Sequence, residues 1–402
     1  MVAILGLRGS GDWTAGEERP KNFRESILWL YPNGQAPLLA LTSKMKKQAV
    51  DDPEFSWWEE TLTAMRCSLA AQVGNTTTAN TLSLSSNNSD AFNFVAGDIL
   101  MVESTTVDPN SVELLVVASD PTATNLLTVT RAAIGSTVST IATSTALVRI
   151  GNAFREGTTS PSATDRQPTK LYNYTQIFKT AYDLSKTAKE TYLRTGDPLV
   201  LARKRKMHDH AVTQELAFLF GRRLETTTGA STGRPIRYTG GLRSFLSSNV
   251  TTWATTATED SFMSFLEGVF DYQSGAGNER LILSGGGFAR RMNLLLKEEM
   301  SIQAPEIVKV YGMDLQRYVT PVGTFYLKTH PLMNVIAGMA ASAFIIDPTG
   351  IKYRPLRNRD TKHEDNLQSN DADEVKGQWI TEAGIEVNHE QTMGFIHGFK
   401  YP

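Results

Sequence analysis

An α+β fold carrying a separate all-β insertion follows from three features of this 402-residue sequence. One long helical stretch, DPLVLARKRKMHDHAVTQELAFLFGRRL, runs from residue 197 with no Gly or Pro between Pro198 and Gly221. Short apolar runs bounded by turn residues recur from 68 to about 160: TLSLSS at 81, DILMVES at 98, VELLVVAS at 112, LLTVTRA at 126 and ALVRIG at 146. That spacing, rich in β-branched residues, predicts a small antiparallel barrel or sandwich. Strand and helix patterns alternate from 280 to 346, and the tail returns to strands in KGQWITEAGIEVNHEQTMGFIHGF.

Taken in order, residues 1 to 60 read as an arm. Trp13, Phe23, Leu28, Trp29, Leu30 and Tyr31 are interrupted by Gly and Pro, with one short helical candidate at Asn22 to Leu30. Such a segment exposes apolar side chains that it cannot bury within itself, which marks an interaction site. After the β-rich insertion, residues 169 to 190 alternate as one long extended strand. Asp197 is an N-cap and Pro198 takes the favoured first helical position, so a helix from Pro198 to Leu224 spans about 40 Å at ~1.5 Å per residue. Val212, Leu216, Leu219 and Phe220 fall at i, i+4, i+7 and i+8 and form its expected packing stripe. A second helix is expected over Glu259 to Tyr272, and an acidic loop at 359 to 375 precedes the final strands.

Composition narrows the chemistry. Hydrophobic residues make up 41% and charged ones 20%, which fits a globular chain, and a net charge of −2 supplies no global field for nucleic acid. The single cysteine, Cys67, forms no internal disulfide and no zinc cluster. No segment approaches the roughly 20 apolar residues of a membrane span, and no secretory signal opens the chain. His208 and His210, two apart on a helix, point away from each other and cannot share a metal. HEQTMGFIH has Met393 where the zinc signature needs His. ILSGGGFARRMN has the strand, glycine turn and helix order of a phosphate cradle, but Arg290 stands where a glycine is needed and no GK[ST] follows. The basic run Arg203, Lys204, Arg205 and Lys206 points around the whole helix, with no helix-turn-helix frame about it. No catalytic grouping, cofactor site or metal site emerges, so an enzyme is not expected.

The order of these parts resembles the major capsid proteins of tailed bacteriophages, the Hong Kong 97 capsid fold, in members with a β-domain inserted in the extended loop. LYPNGQAPLLALTSKM, FSWWEETL, LTVTRAAIGST, QIFKTAYDLSKTA, ELAFLFGRR, RYTGGL and EVNHEQTMGFIHG carry the resemblance. It implies an N-terminal arm at 1–50, an extended loop at 51–67 and 156–190, and the inserted β-domain at 68–155. It further implies a peripheral domain at 191–279 and 347–402 with its spine helix at 198–224, and an axial domain at 280–346. The implied function is structural: pentamers and hexamers of this chain close an icosahedral or prolate head around phage double-stranded DNA, held by nonspecific contact. Partners would be many copies of itself, the portal and scaffolding or decoration proteins. Location would be the virion capsid, assembled in the cytoplasm of the bacterial host. Trp29, Tyr31 and Leu38 in the arm, and Trp57 and Trp58 at the loop base, are the expected intersubunit contacts because none has an evident local core. Noncovalent contacts are expected over a Lys–Asn crosslink, for which Lys170, Lys179, Lys186 and Lys189 lie on the loop. A cellular nanocompartment shell of the same fold, or a DNA-binding protein using 203–206, is the competing reading.

Overall fold

The computed structural model describes residues 47–400 apart from 61–64, 79, 86–90, 105–107, 109–110, 166, 194–195, 229–232, 254–256, 299–305 and 311–312, with backbone alone at 296–298, 306–310 and 313–314. Two compact units result: Trp58–Lys170, and the described residues on either side of it. Strand β1 (Glu54–Glu59) leads into the insertion, which contains β2 (Arg66–Ser68), β3 (Thr81–Ser83), β4 (Asp98–Val102), β5 (Leu114–Val117), β6 (Leu126–Thr130) and β7 (Ala146–Asn152).

The insertion is a barrel. Its strands hydrogen-bond in the order β2-β7-β4-β5-β6-β3, and the Leu69–Leu84 antiparallel bridge joins the two ends. Ala70 donates to the Ser83 carbonyl and Ser85 to that of Ser68, both at 2.8 Å, so the sheet has closed on itself. Closure removes the exposed strand edges of so small a sheet. The expected apolar runs supply its core: Leu82, Leu100, Val102, Leu115, Val117, Leu127, Val129 and Leu147 point inward and are buried. Cys67 lies in the same core, where burial pushes its thiol up to about 12.

The other unit is built around a seven-stranded mixed sheet. Its strands are β12 (Val250–Thr252), β13 (Glu279–Ser284), β14 (Glu306–Val310), β15 (Met313–Val319), β16 (Thr324–Thr329), β17 (Ala343–Ile346) and β21 (Gly394–His397), in the order β12-β21-β17-β13-β16-β15-β14. Both faces are covered, which explains the near-continuous apolar runs RLIL and AFII. On one face the helices Glu259–Phe270 and Gly286–Glu298 bury Phe262, Leu266, Phe288 and Met292 against Ile282, Phe325 and Ile345. On the other, Leu281, Leu283 and Phe344 meet Phe218 and Leu219 of the long helix.

Beside that helix runs a second sheet. Strand β20 (Glu374–Val387) pairs along one side with β9 (Gln176–Ser185) and along the other with β18 (Ile351–Pro355) and β19 (Lys362–Glu364). The extended stretch expected over 169–190 is therefore two strands and a helical turn. β8 (Thr169–Tyr174), which pairs with β1, is separated from β9 by Thr175, whose amide turns to the Pro53 carbonyl at 2.8 Å. Ser185 then ends β9 by capping the short helix Lys186–Glu190.

The long helix is shorter than its expected 198–224: it spans Pro198–Phe220. Asp197 caps it as expected, accepting from the amides of Leu199 at 2.7 Å and Val200 at 3.4 Å. Its end is set by tertiary packing. Gly221 is extended, and a Cβ there would lie 2.5 Å from the Thr239 carbonyl oxygen, so the chain leaves the helix where two backbones cross. Leu224 instead begins β10 (Leu224–Thr226), which forms a hairpin with β11 (Ile236–Tyr238).

Candidate functional site

The long helix carries most of the singled-out residues, and its buried face is more polar than expected. His210, Gln214, Glu215, Phe218 and Leu219 are buried. Of the expected stripe, Leu219 lies in the core and Phe220 packs edge-on against Phe344 at 5.6 Å. Val212 and Leu216 are only half-buried and belong to none of the described hydrophobic clusters, so they do not define the packing face. The stripe is displaced because the facing strands offer hydrogen-bonding partners. The two ring nitrogens of His210 sit 3.0 Å from the Thr180 hydroxyl and 2.9 Å from that of Thr381, and Gln214 donates to the same Thr381 hydroxyl at 3.0 Å. Glu215 meets His330 at 2.8 Å with both side chains fully buried. Burial holds the pKa of His210 below the ordinary histidine value, which favours the neutral ring.

The basic run is divided among separate tasks. Arg203 donates to the Tyr182 hydroxyl at 3.0 Å and to Asp365 at 2.7 Å, while Tyr182 donates to the same carboxylate at 2.6 Å. The Tyr182 hydrogen bond, with the charges of His363 and Arg203, holds Asp365 below the usual carboxylate range despite its desolvation. Lys206 pairs with Asp209 at 3.3 Å, and Lys204 and Arg205 are exposed. Arg203 and Lys206 thus tie the helix to its own surroundings instead of converging on one phosphate.

The glycine turn at 285–287 is likewise a packing device. A Cβ on Gly285 or Gly287 would lie 2.3 Å or 2.9 Å from the Ala340 carbonyl oxygen. The amides that a phosphate would use are already taken: Gly286 donates to the Asn334 side chain at 2.7 Å and Phe288 to the Ala340 carbonyl at 2.9 Å. His389 and His397 are also apart in role, the first left-handed at φ 53°, the second 2.9 Å from the Ser342 hydroxyl. Among the described residues no three His, Cys, Asp or Glu side chains are grouped to hold a metal.

What remains is surface. Trp57 and Trp58 are adjacent in a strand and so face opposite ways. Trp57 is 8% exposed and packs with Val50, Phe55 and Phe245 of its own unit, so the expectation that it lacks a local core is corrected. Trp58 is 65% exposed. Trp29, Tyr31 and Leu38 lie outside the described residues. The exposed apolar face of the β10–β11 hairpin has no signal in the sequence, because its three-residue strands leave no periodicity to read.

Comparison with known proteins gives these surfaces a context. The family model for the SU10 major capsid protein matches residues 9–400. A major capsid protein of Pseudomonas phage PaMx41 is 27% identical over 353 residues, covering 86% of this chain and 80% of that one. Among solved structures, the capsid of a native GTA particle aligns over 98% of this chain and 100% of that chain at 9% identity and a TM-score of 0.46. An encapsulin complex from Synechococcus elongatus aligns over 59% and 78% at 11% identity and a TM-score of 0.42.

Proposed function

The chain belongs to the SU10 major capsid protein family, and from that premise we propose that its copies assemble as pentamers and hexamers into a closed icosahedral or prolate head around double-stranded DNA. It is a phage major capsid protein and works in a shell of many copies. The observation that carries the reading is the family match across residues 9–400. Both the family and its Pseudomonas phage relative are viral, which favours a DNA container over a nanocompartment.

In this reading the segment 1–50, with Trp29, Tyr31 and Leu38, is the arm that reaches a neighbouring copy. Trp58 joins it as an exposed contact, whereas Trp57 serves its own fold. Residues 51–67 and 156–190 are the extended loop, 191–279 and 347–402 the peripheral domain and 280–346 the axial domain. The packaged DNA is held by nonspecific contact, the portal and scaffolding or decoration proteins are the further partners, and assembly takes place in the host cytoplasm. No described helix is long and apolar enough to cross a membrane. Contacts between copies are noncovalent; a ladder of oligomers surviving a boiled denaturing gel would contradict that.

The deciding experiment is negative-stain electron microscopy of the purified protein with its sedimentation profile. Closed particles of hundreds of copies are expected, with DNA in those recovered from lysed cells. A monomer or dimer under every condition tried, including added scaffolding protein, would overturn the reading.

A further inference from the structure

We propose that copies of this chain make a head-to-tail contact in which the acidic loop Glu364–Glu374 of one copy seats on a basic-rimmed apolar groove at the C-terminal end of the long helix of the next. The inference rests on the shell reading and names a contact within it.

The groove has a volume of about 340 Å³ and is lined by Gln176, Ala217, Arg222, Leu224, Tyr238 and Thr239. Its outer wall is the β10–β11 hairpin. Leu224 is paired with Tyr238 and Thr226 with Ile236, which places these four side chains on one face. Leu224 is 53% exposed, Tyr238 41% and Ile236 38%. A two-stranded hairpin is marginal in water without something packed on it. Arg222 lines the groove and Arg234 stands two residues before Ile236, whereas Arg237 lies on the opposite face of the hairpin, paired with Glu225 at 2.9 Å. Arg223 donates to the Tyr172 carbonyl at 2.6 Å, and Arg222 and Arg234 are exposed and form no ion pair among the described residues. A fitting occupant is therefore acidic and carries an apolar tip.

The same unit presents that chemistry at its other end. From Glu364 to Glu374 the loop EDNLQSNDADE holds five carboxylates and no basic residue. Asp365 is paired with Arg203 and Asp373 with Lys186, whereas Glu364, Asp371 and Glu374 form no ion pair among the described residues. Leu367 projects between them, 44% exposed, on a backbone fixed by its amide to the Lys376 carbonyl at 2.9 Å.

Geometry selects a second copy as the occupant. Strand β9 starts at the groove with Gln176, paired to Ala383, and ends at the loop with Ser185, paired to Glu374. Its ten residues span roughly 30 Å at ~3.3 Å per residue. The long helix runs alongside, with Arg203 at the loop end and Ala217 at the groove end. The two surfaces are thus fixed at opposite ends of one layer and cannot meet within a copy. Complementary patches at opposite ends make a heterologous contact, which repeats as a ring when the rotation closes.

The test is disulfide trapping with the full chain carrying Leu224→Cys and Leu367→Cys together. Cys67 is 1% exposed and does not compete. Assembled particles, mildly oxidised, should yield a ladder of linked oligomers on a non-reducing denaturing gel, at least tenfold above either single variant. Particles without that ladder, or an equal ladder from a single variant, overturn the contact and leave the shell reading standing; failure of the unaltered chain to form particles would instead sink the shell reading. Independently, Arg222→Glu with Arg234→Glu should lower particle yield at least tenfold, and adding Asp371→Arg with Glu374→Arg should restore it. Unchanged yield in the first variant also overturns the contact.

Discussion

The inserted barrel and the long-helix layer both bury ionisable groups, but they arrange them differently. In the barrel the polar content falls at two sites, Asp98 at the start of β4, which accepts the Val95 amide at 3.0 Å and pairs with Arg149 at 3.2 Å, and a fully buried pair at the end of β6. Arg131 holds Glu113 through two hydrogen bonds at 2.7 and 2.6 Å, with both side chains fully buried. Arg131 also donates to the carbonyls of Gly74 and Ser139, and Glu113 accepts the amides of Ala132 and Ser139. The rest of that core is apolar. In the long-helix layer, polar groups are spread along the interface itself: His210 meets Thr180 of β9 and Thr381 of β20, Gln214 donates to the same Thr381, and Glu215 meets His330 just beyond β16. Removing one partner of the Arg131–Glu113 pair leaves an unpaired buried charge, whereas the long-helix contacts are shared among several partners.

The sharpest way to break this contrast is Glu113→Ala. It strands the Arg131 guanidinium in the barrel and should cost about 3–5 kcal/mol of barrel stability. Hydrogen exchange should lose protection across β2–β7 while the seven-stranded sheet keeps its own. Equal loss in both units would show that they do not unfold separately. Glu215→Ala in the long helix should cost less, about 1.5–3 kcal/mol, the range for a hydrogen bond to a charged group. Urea denaturation followed by exchange at the seven-stranded sheet would measure it.

Acid should separate the two regions by pH. His210 has its folded pKa depressed by burial from an ordinary 6.5, so the stability it contributes is complete above that value and is lost as pH falls toward the lower folded value. Burial alone would raise Glu113, but the Arg131 hydrogen bond and the Ser139 and Ala132 amides outweigh it and hold the carboxyl below its ordinary 4.5. Its contribution is present above about that value and is lost only as pH falls further. Pulse-labelled exchange after equilibration from pH 7 to 4 should therefore show the long-helix layer loosening first. Glu386, held low by Lys352 and Arg354 against its own desolvation, adds to the loss in that unit only at the acid end. The smallest effect is expected from Leu216→Ala, within about 1 kcal/mol, because the half-buried Leu216 is outside the core clusters. A loss of 3 kcal/mol, measured by thermal melting, would restore Leu216 to the packing face.

By itself, the sequence determined what local physics controls. The recurrence of short apolar, β-branched runs between turn residues placed β6, β4 and β7, because a strand with a dry face needs only a few such residues in local succession. Asp197 and Pro198 marked the helix start, since a cap acts through neighbouring amides. Tertiary structure decided the rest. The helix stops at Phe220 because Gly221 meets the distant Thr239 backbone, and β2, β10, β11 and β12 are three residues each, too short for any period. His210, Gln214 and Glu215 are buried only because Thr180, Thr381 and His330, far away in sequence, supply their hydrogen bonds. Burial of a polar residue depends on where its partner sits, and only the folded chain brings those partners together.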